Sequence, residues 1–404
     1  MSNNKLTRRR FLQTTAVTLT TLGLSTFSRS SNAKGPSEQT LYVGTYTSGK
    51  SEGIYIYRLN MSTGELKHFK TVKGVVDPSY LCINRKGRFL YAVNEVSQFE
   101  GKPGGAVSSF SIDRTTGDLT YLNQKSSKGG APCYVTQDAT GRFVLLANYE
   151  SGNVSVLPIK RDGSLGEAVS VMQHSGASIN PDRQQGPHAH CILLDKSNRY
   201  AFTVDLGIDK IVVYRFNEKN GSLINHSETA TKPGAGPRHL AFHPNNKWAY
   251  VINELDSTMT AYAYNSKGGA ISPQQWISTL PQGFTGASFC ADVHVSRDGR
   301  FLYGSNRGHN SIVVFRIDPR LGELTLVEHV STGGDWPRNF VIDPTGTYLL
   351  VANQKSDSVV TFRIDASTGR LSPTGHVTEI PTPVCLKLWG GEGAAPLNFK
   401  IRPG

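Results

Sequence analysis

Seven times along this chain an apolar segment ends in Thr, Asn or Asp at nearly the same interval. The segments are Leu41-Tyr42-Val43-Gly44-Thr45, Leu90-Tyr91-Ala92-Val93-Asn94, Leu145-Leu146-Ala147-Asn148, Ala201-Phe202-Thr203-Val204-Asp205, Ala249-Tyr250-Val251-Ile252-Asn253, Leu302-Tyr303-Gly304-Ser305-Asn306 and Leu349-Leu350-Val351-Ala352-Asn353. Their last residues lie 49, 54, 57, 48, 53 and 47 positions apart. A period near 50 means that one small unit is stacked against copies of itself, because no single copy can bury its own apolar faces. Repeat folds of this kind form one body, so 404 residues need not mean several domains.

Each unit reads as four short strands. In the last copy, 339–342 is an apolar run and Asp343-Pro344-Thr345-Gly346 a turn. Residues 348–353 form a second strand, 358–364 alternate as a third, and 370–377 make a fourth after the turn at 365–369. Similar turns recur as Ser62-Thr63-Gly64, Thr115-Thr116-Gly117 and Lys219-Asn220-Gly221. Frequent reversals account for the 41 glycines and 20 prolines. The first unit starts directly at its second strand, while Pro383-Val384-Cys385-Leu386-Lys387-Leu388 is left over at the other end. The spare strand is expected to complete the first unit and close a ring, which removes two exposed sheet edges. The expected fold is all-β, a seven-bladed β-propeller of four-stranded blades over residues 40–390, with 34–39 a linker and 391–404 a C-terminal tail. Trp-Asp dipeptides do not mark the blade ends.

Residues 1–33 read as a leader. Thr7-Arg8-Arg9-Arg10-Phe11-Leu12-Gln13 has the form of a twin-arginine export signal. An uncharged stretch over 14–28 follows, and Ser31-Asn32-Ala33 is a small-residue cleavage site. The stretch is short and rich in threonine, so no stable membrane insertion is expected. The expectation is a periplasmic or secreted protein that engages the twin-arginine translocation machinery. Removing the leader takes away five basic residues and no acid, so the formal charge falls from +12 to +7. No Lys/Arg block interleaved with aromatics remains, which argues against nucleic acid; a basic funnel for a small anion fits better. The five cysteines are scattered, one per apolar run, and read as buried small hydrophobes.

The units differ at two aligned positions. Gly186-Pro187-His188-Ala189-His190 and Gly236-Pro237-Arg238-His239 occupy the same place in successive copies. The residue aligned with Arg238 is Ser79, Cys133, His190, Ala291 or Arg338 in the other complete units. A purely structural position would be uniform. The first strands line a central channel, so the polar members should converge at its mouth. The second position follows the strand ending in Asn or Asp and holds Tyr46, Glu95, Tyr149, Leu206, Glu254, Arg307 and Gln354. Glu254 and Arg307 add a carboxylate and another cation to the same rim. Such a mixed group in a concavity can bind an anion and move a proton. His188 and His190 alternate, and three further histidines lie on or near first strands. No strong zinc-ligand spacing appears, and the arginines would repel a dication, so no metal is expected. There is no phosphate-cradling glycine loop, and no cofactor is expected.

These motifs, with the run 296–308 and Pro337-Arg338-Asn339-Phe340, resemble the seven-bladed lactonase family. Its members include propeller-type 6-phosphogluconolactonases and the fungal carboxymuconate cyclase. The resemblance spans about residues 40–388. It implies that the cyclase's active-site His, Arg, Glu and Arg fall on His190, Arg238, Glu254 and Arg307. The expected activity is hydrolysis of a small anionic or sugar-acid lactone. His190 would be the base, directly or through water, and Glu254 would orient it or share the role. Arg238 and Arg307 would stabilise the oxyanion, with His188, Arg338 and His239 as further substrate binders. Two other readings stay open: a lactone-forming cycloisomerase, and a non-enzymatic exported propeller that binds a small anion or a protein.

Overall fold

The hairpin turn between the third and fourth strands of a unit also builds the joint between units. In the computed structural model, which describes residues 37–389, the last such turn is held by Asp365. Its Oδ1 accepts the backbone N–H groups of Ser367 at 2.8 Å and Thr368 at 2.9 Å. Gly369 closes the turn at φ 76°, with its N–H on the Asp365 carbonyl at 2.8 Å. An Asx side chain that satisfies the turn's own donors, followed by a left-handed glycine, is a local code for reversing a strand. The same device stands at Asn60/Gly64, Asp113/Gly117 and Asp318/Gly322.

Each of these glycines also serves as a seat for a neighbouring aromatic ring. A Cβ on Gly369 would come within 2.4 Å of Phe301 in the preceding blade, and the Gly369 carbonyl accepts the Tyr303 hydroxyl at 2.9 Å. Gly322 seats Trp248 in the same way, with Tyr250 donating to its carbonyl at 3.0 Å. At the junction of the last blade with the first, Gly64 seats Tyr348, whose hydroxyl donates to the Ser62 carbonyl at 2.8 Å. The joint that closes the ring therefore uses the chemistry of the other joints.

Among the described residues the strands form seven four-stranded antiparallel sheets, plus one small hairpin of Gln98–Phe99 with Lys102–Pro103. Within a blade the strands run in sequence order from the channel outward. The first blade is the exception: Pro383–Trp389 is its innermost strand and pairs with Glu38–Thr45, Leu388 opposite Leu41. The ring closure expected from the leftover C-terminal strand is therefore present. In the seventh blade the four strands are Pro337–Ile342, Tyr348–Asn353, Ser358–Ile364 and Leu371–Glu379. The leader, residues 34–36 of the linker and the tail read in the sequence lie outside the described residues; the first strand begins at Glu38, within the stretch read as linker.

Between blades the facing sides of the sheets make the core. Phe202, Val204 and Val213 of the fourth blade pack on Leu240, Val251 and Tyr262 of the fifth, and comparable clusters fill other joints. All five cysteines are free and sit on innermost strands, four of them buried and Cys82 half-buried.

The joint glycines can be tested against an unpacked one. Gly346 is also left-handed, at φ 74°, but a Cβ there would meet nothing within 4 Å. Gly346→Ala is expected to cost about 1 kcal/mol through backbone strain alone. Gly322→Ala should cost roughly 1–3 kcal/mol more, because Trp248 must move. Urea denaturation of the two variants beside the parent measures the difference.

Candidate active site

The polar rim is made by a recurring backbone defect. Pro132, Pro237, Pro337 and Pro383 each open an innermost strand, where a proline owes the ladder no donor. The residue before each is left-handed: Ala131 at φ 48°, Gly236 at 60°, Trp336 at 68° and Thr382 at 44°. One residue into the strand the pairing slips. Pro237 faces Asn253 but His239 faces Ile252, so Arg238 is extra. The same slip leaves Cys133, His190 and Arg338 extra in their blades and Val384 in the strand that closes the ring. A β-bulge of this sort re-aims a side chain out of the alternation of the strand. The position picked out by aligning the repeats is thus a bulge in five blades. Ser79, Cys133, Arg238, Arg338 and Val384 line one narrow cavity with room for about one water.

Glu254 sits one residue past Trp248–Asn253, with its N–H on the Gly236 carbonyl at 2.7 Å. That bond places its carboxylate beside Arg238. Oε2 lies 2.7 Å from Arg307 Nη2 and 3.0 Å from Arg238 Nε, and Oε1 lies 2.8 Å from Arg183 Nη2. The Arg238 Nε contact is an ion pair rather than an aligned hydrogen bond. Arg238 also donates to the Ala291 carbonyl at 2.5 Å, and Arg307 to the Cys290 carbonyl at 2.9 Å. Burial alone would raise the pKa of Glu254. Arg307, Arg238 and Arg183 outweigh it and hold the group at about 2. Burial pulls Arg307 down to about 10 despite Glu254, with Arg238 and Arg338 pushing the same way; it remains a cation at neutral pH. Sequence reasoning expected Glu254 to orient His190 or share its role as base; its carboxylate has three guanidinium partners instead.

His190 is buried, with Nδ1 3.6 Å from Cys133 Sγ. Its ring meets Tyr149 edge-on at 5.5 Å and His239 at 5.3 Å. Burial, then the charges of Arg238, His239 and Arg338, push its pKa well below that of an ordinary histidine. His188 stacks on the face of the same Tyr149 at 4.5 Å, and its Nδ1 donates to the Tyr149 carbonyl at 2.9 Å. His239 is occupied on both ring nitrogens. Nδ1 donates to Asp292 at 2.8 Å and Nε2 faces Arg238 Nη1 at 3.3 Å. Burial and Arg238 bring its pKa to about 4 in spite of Asp292. It stands in the wall behind Arg238.

Arg338 forms a second group. Its Nη2 donates to the Tyr46 hydroxyl at 2.7 Å and lies 3.9 Å from Glu95, while Tyr46 and Ser79 donate to Glu95 Oε2. Burial raises the pKa of Glu95, with Arg338 opposing it. Across both groups four arginines face two carboxylates, so positive charge is in excess; of these residues Arg238, Arg338 and Glu95 line the narrow cavity. That arrangement suits an anion or an oxygen on which negative charge develops. Among the described residues no group of three or more His, Cys, Asp or Glu is gathered as a metal ion would need. Sequence reasoning named His190, Arg238, Glu254 and Arg307, and the structure gathers Arg238 and Arg307 on the Glu254 carboxylate, with His190 linked to Arg238 through His239. It missed Arg183, and gave Tyr149, Tyr46 and Glu95 no role. The signal for Arg183 was the longest interval between repeats, 57 residues, in which it lies.

Comparison with known proteins gives the same picture. A family model described as "Lactonase, 7-bladed beta-propeller" matches residues 40–388. A 6-phosphogluconolactonase of Bacillus subtilis is 42% identical over 346 residues, covering 86% of this chain and 97% of the relative. One from Formosa agariphila is 36% identical, covering 76% and 86%. The solved structure of a periplasmic gluconolactonase from Pseudomonas aeruginosa superposes with a TM-score of 0.83 at 35% identity, covering 87% of this chain and 99% of that one. The chain belongs to the seven-bladed β-propeller lactonase family.

Proposed function

We propose that this protein hydrolyses a sugar-acid lactone at the mouth of its central channel, in the manner of a 6-phosphogluconolactonase. The observation that carries the reading is the packing of Arg183, Arg238 and Arg307 on buried Glu254, with neutral His190 nearby. Relatives named 6-phosphogluconolactonase and periplasmic gluconolactonase support the substrate class. The periplasmic relative and the Arg8-Arg9-Arg10 leader together support an exported enzyme.

The chemistry follows from what a lactone needs. A water oxygen bonds to the carbonyl carbon and its proton passes to His190. The carbonyl electron pair moves onto oxygen, where Arg238 and Arg307 face the developing charge. On collapse, the carbon–oxygen bond of the ring breaks and the proton held by His190 goes to the ring oxygen, now a hydroxyl. The product is a hydroxy acid, which ionises to its carboxylate. We assign the neutral Nε2 of His190 as the base. With the Cys133 thiol turned to the His190 carbonyl at 3.5 Å, Nδ1–H faces the sulfur and leaves Nε2 unprotonated. Glu254 keeps Arg238 and Arg307 in place and stays ionised across the working range.

The direct test is lactone opening by residues 34–404, followed by NMR against buffer alone, with 6-phosphogluconolactone and unphosphorylated gluconolactone. Acceleration of either supports the reading; none with either contradicts it. His190→Ala is expected to lower kcat by roughly 10²–10⁴-fold. The pH profile gives a second check. A base must be unprotonated, and the pKa of His190 is depressed, so activity should be lost only as pH falls well below 6.5. An acid limb centred at the ordinary histidine value would point to a different base. Arg238→Lys keeps the charge but loses the fork and the second donor, and kcat should fall by roughly 10²–10³-fold with KM less affected.

A further inference from the structure

Arg183 comes from the connection between the third and fourth blades. Residues 174–188 separate the outer strand Ser170–Gln173 from the inner strand Ala189–Leu194, fifteen residues where the next connection has six. The length does not leave this segment loose. Asp205 grips both ends, with Oδ2 on His174 Nδ1 at 2.6 Å and Oδ1 accepting the His188 N–H at 2.7 Å. His174 is held on its other nitrogen by the Tyr214 hydroxyl at 2.8 Å. Between the ends, Ser178 donates to Asp209 at 2.6 Å, and fully buried Gln184 donates to the Leu206 carbonyl at 2.8 Å. The backbone beside Arg183 is therefore pinned, and its side chain is aimed from a fixed base over the channel mouth.

The four arginines of the mouth are held differently. Arg238 and Arg307 are tied to backbone carbonyls as well as to Glu254, and their side chains are 2% and 6% exposed. Arg338 is 18% exposed and bonded to Tyr46. Arg183 bonds two side chains, Tyr149 Oη at 3.1 Å and Glu254 Oε1 at 2.8 Å, and is 36% exposed. It is the outermost of the four, and the excess positive charge of the mouth is presented to solvent through it. Glu254 would keep its two contacts on Oε2 if Arg183 turned away.

We propose that Arg183 is a specificity-determining residue that exchanges Glu254 for an anionic substituent of the substrate, a phosphate or a carboxylate carried away from the lactone carbonyl. This rests on the lactonase reading above and assigns one end of the substrate to one side chain. For Arg183 the exchange replaces one charge-assisted hydrogen bond with another, while Glu254 keeps Arg238 and Arg307 on Oε2. A planar guanidinium on a fixed loop gives geometric selectivity as well as charge. A lactone without the second anion leaves Arg183 on Glu254 and forgoes the contact.

The test compares 6-phosphogluconolactone, a glucarolactone with a free carboxylate, and neutral gluconolactone in the parent, Arg183→Gln and Arg183→Lys. The quantity read is the ratio of kcat/KM for each anionic lactone to that for the neutral one. Arg183→Gln should lower this ratio about tenfold or more, and Arg183→Lys should restore part of it. The two anionic arms show whether phosphate or carboxylate is preferred. Equal losses on charged and neutral lactones, or no loss, would overturn the proposal. Calorimetric titration with 6-phosphogluconate and with gluconate separates this result from failure of the lactonase reading. If the parent opens none of the lactones, the activity assignment falls. Arg183 is then judged on binding alone: loss of the preference for 6-phosphogluconate in Arg183→Gln supports it, and an unchanged preference overturns it.

Discussion

The site depends on a carboxylate that is almost fully out of water yet remains charged. Burying an ion costs several kcal/mol unless its partners are near and well placed. Glu254 meets that condition with guanidiniums on both oxygens, and in return it holds Arg238 and Arg307 together against their mutual repulsion. Neither side of this arrangement is tolerable without the other. The result is a set of fixed cations that need not reorganise when charge appears on a reacting oxygen, which is where electrostatic catalysis gains most. Burial, with the same positive field added to it, keeps His190 neutral.

Such a cluster needs a frame that does not yield. The ring supplies it through one joint used repeatedly, a left-handed glycine in one blade seating an aromatic ring from its neighbour, with a tyrosine hydroxyl on a turn carbonyl. Closure by Pro383–Trp389 leaves the first blade no less complete than the others. On the channel side the frame carries one adjustable feature, the bulge at the second residue of the innermost strand. The bulge turns a side chain into the channel whatever its identity, so Cys133, His190, Arg238 and Arg338 differ in chemistry on nearly the same backbone.

Much of this could be read from the residues, for a physical reason. Strand alternation, Asx-and-Gly turns and the 50-residue period are local codes repeated seven times, so errors in one copy are corrected by the others. The strands Tyr348–Asn353 and Ser358–Ile364 were legible to the residue. The column containing Arg238 and His190 was legible as a position whose chemistry changes from unit to unit, although its cause, a bulge, is a property of pairing that one strand alone does not display. What lay outside the repeat was not legible. Arg183 belongs to a connection longer than its counterparts in other units, so no alignment of the repeats could place it beside Glu254, 71 residues away. Asp292 was hidden for a related reason: it stands with Ala291 in an irregular stretch where two residues face Ser305 alone. His239 looked free to bind substrate because its partners, Asp292 and Arg238, come together only through the fold.

The central claim is that Arg238 and Arg307, held on Glu254, receive the carboxyl end of the reaction. A crystal structure of residues 34–404 with an aldonate product bound tests it most directly. The account predicts the product carboxylate within hydrogen-bonding distance of Arg238 and Arg307, with the His190 ring adjacent to it. A product bound elsewhere on the ring, with the arginines still occupied by Glu254 alone, would contradict it.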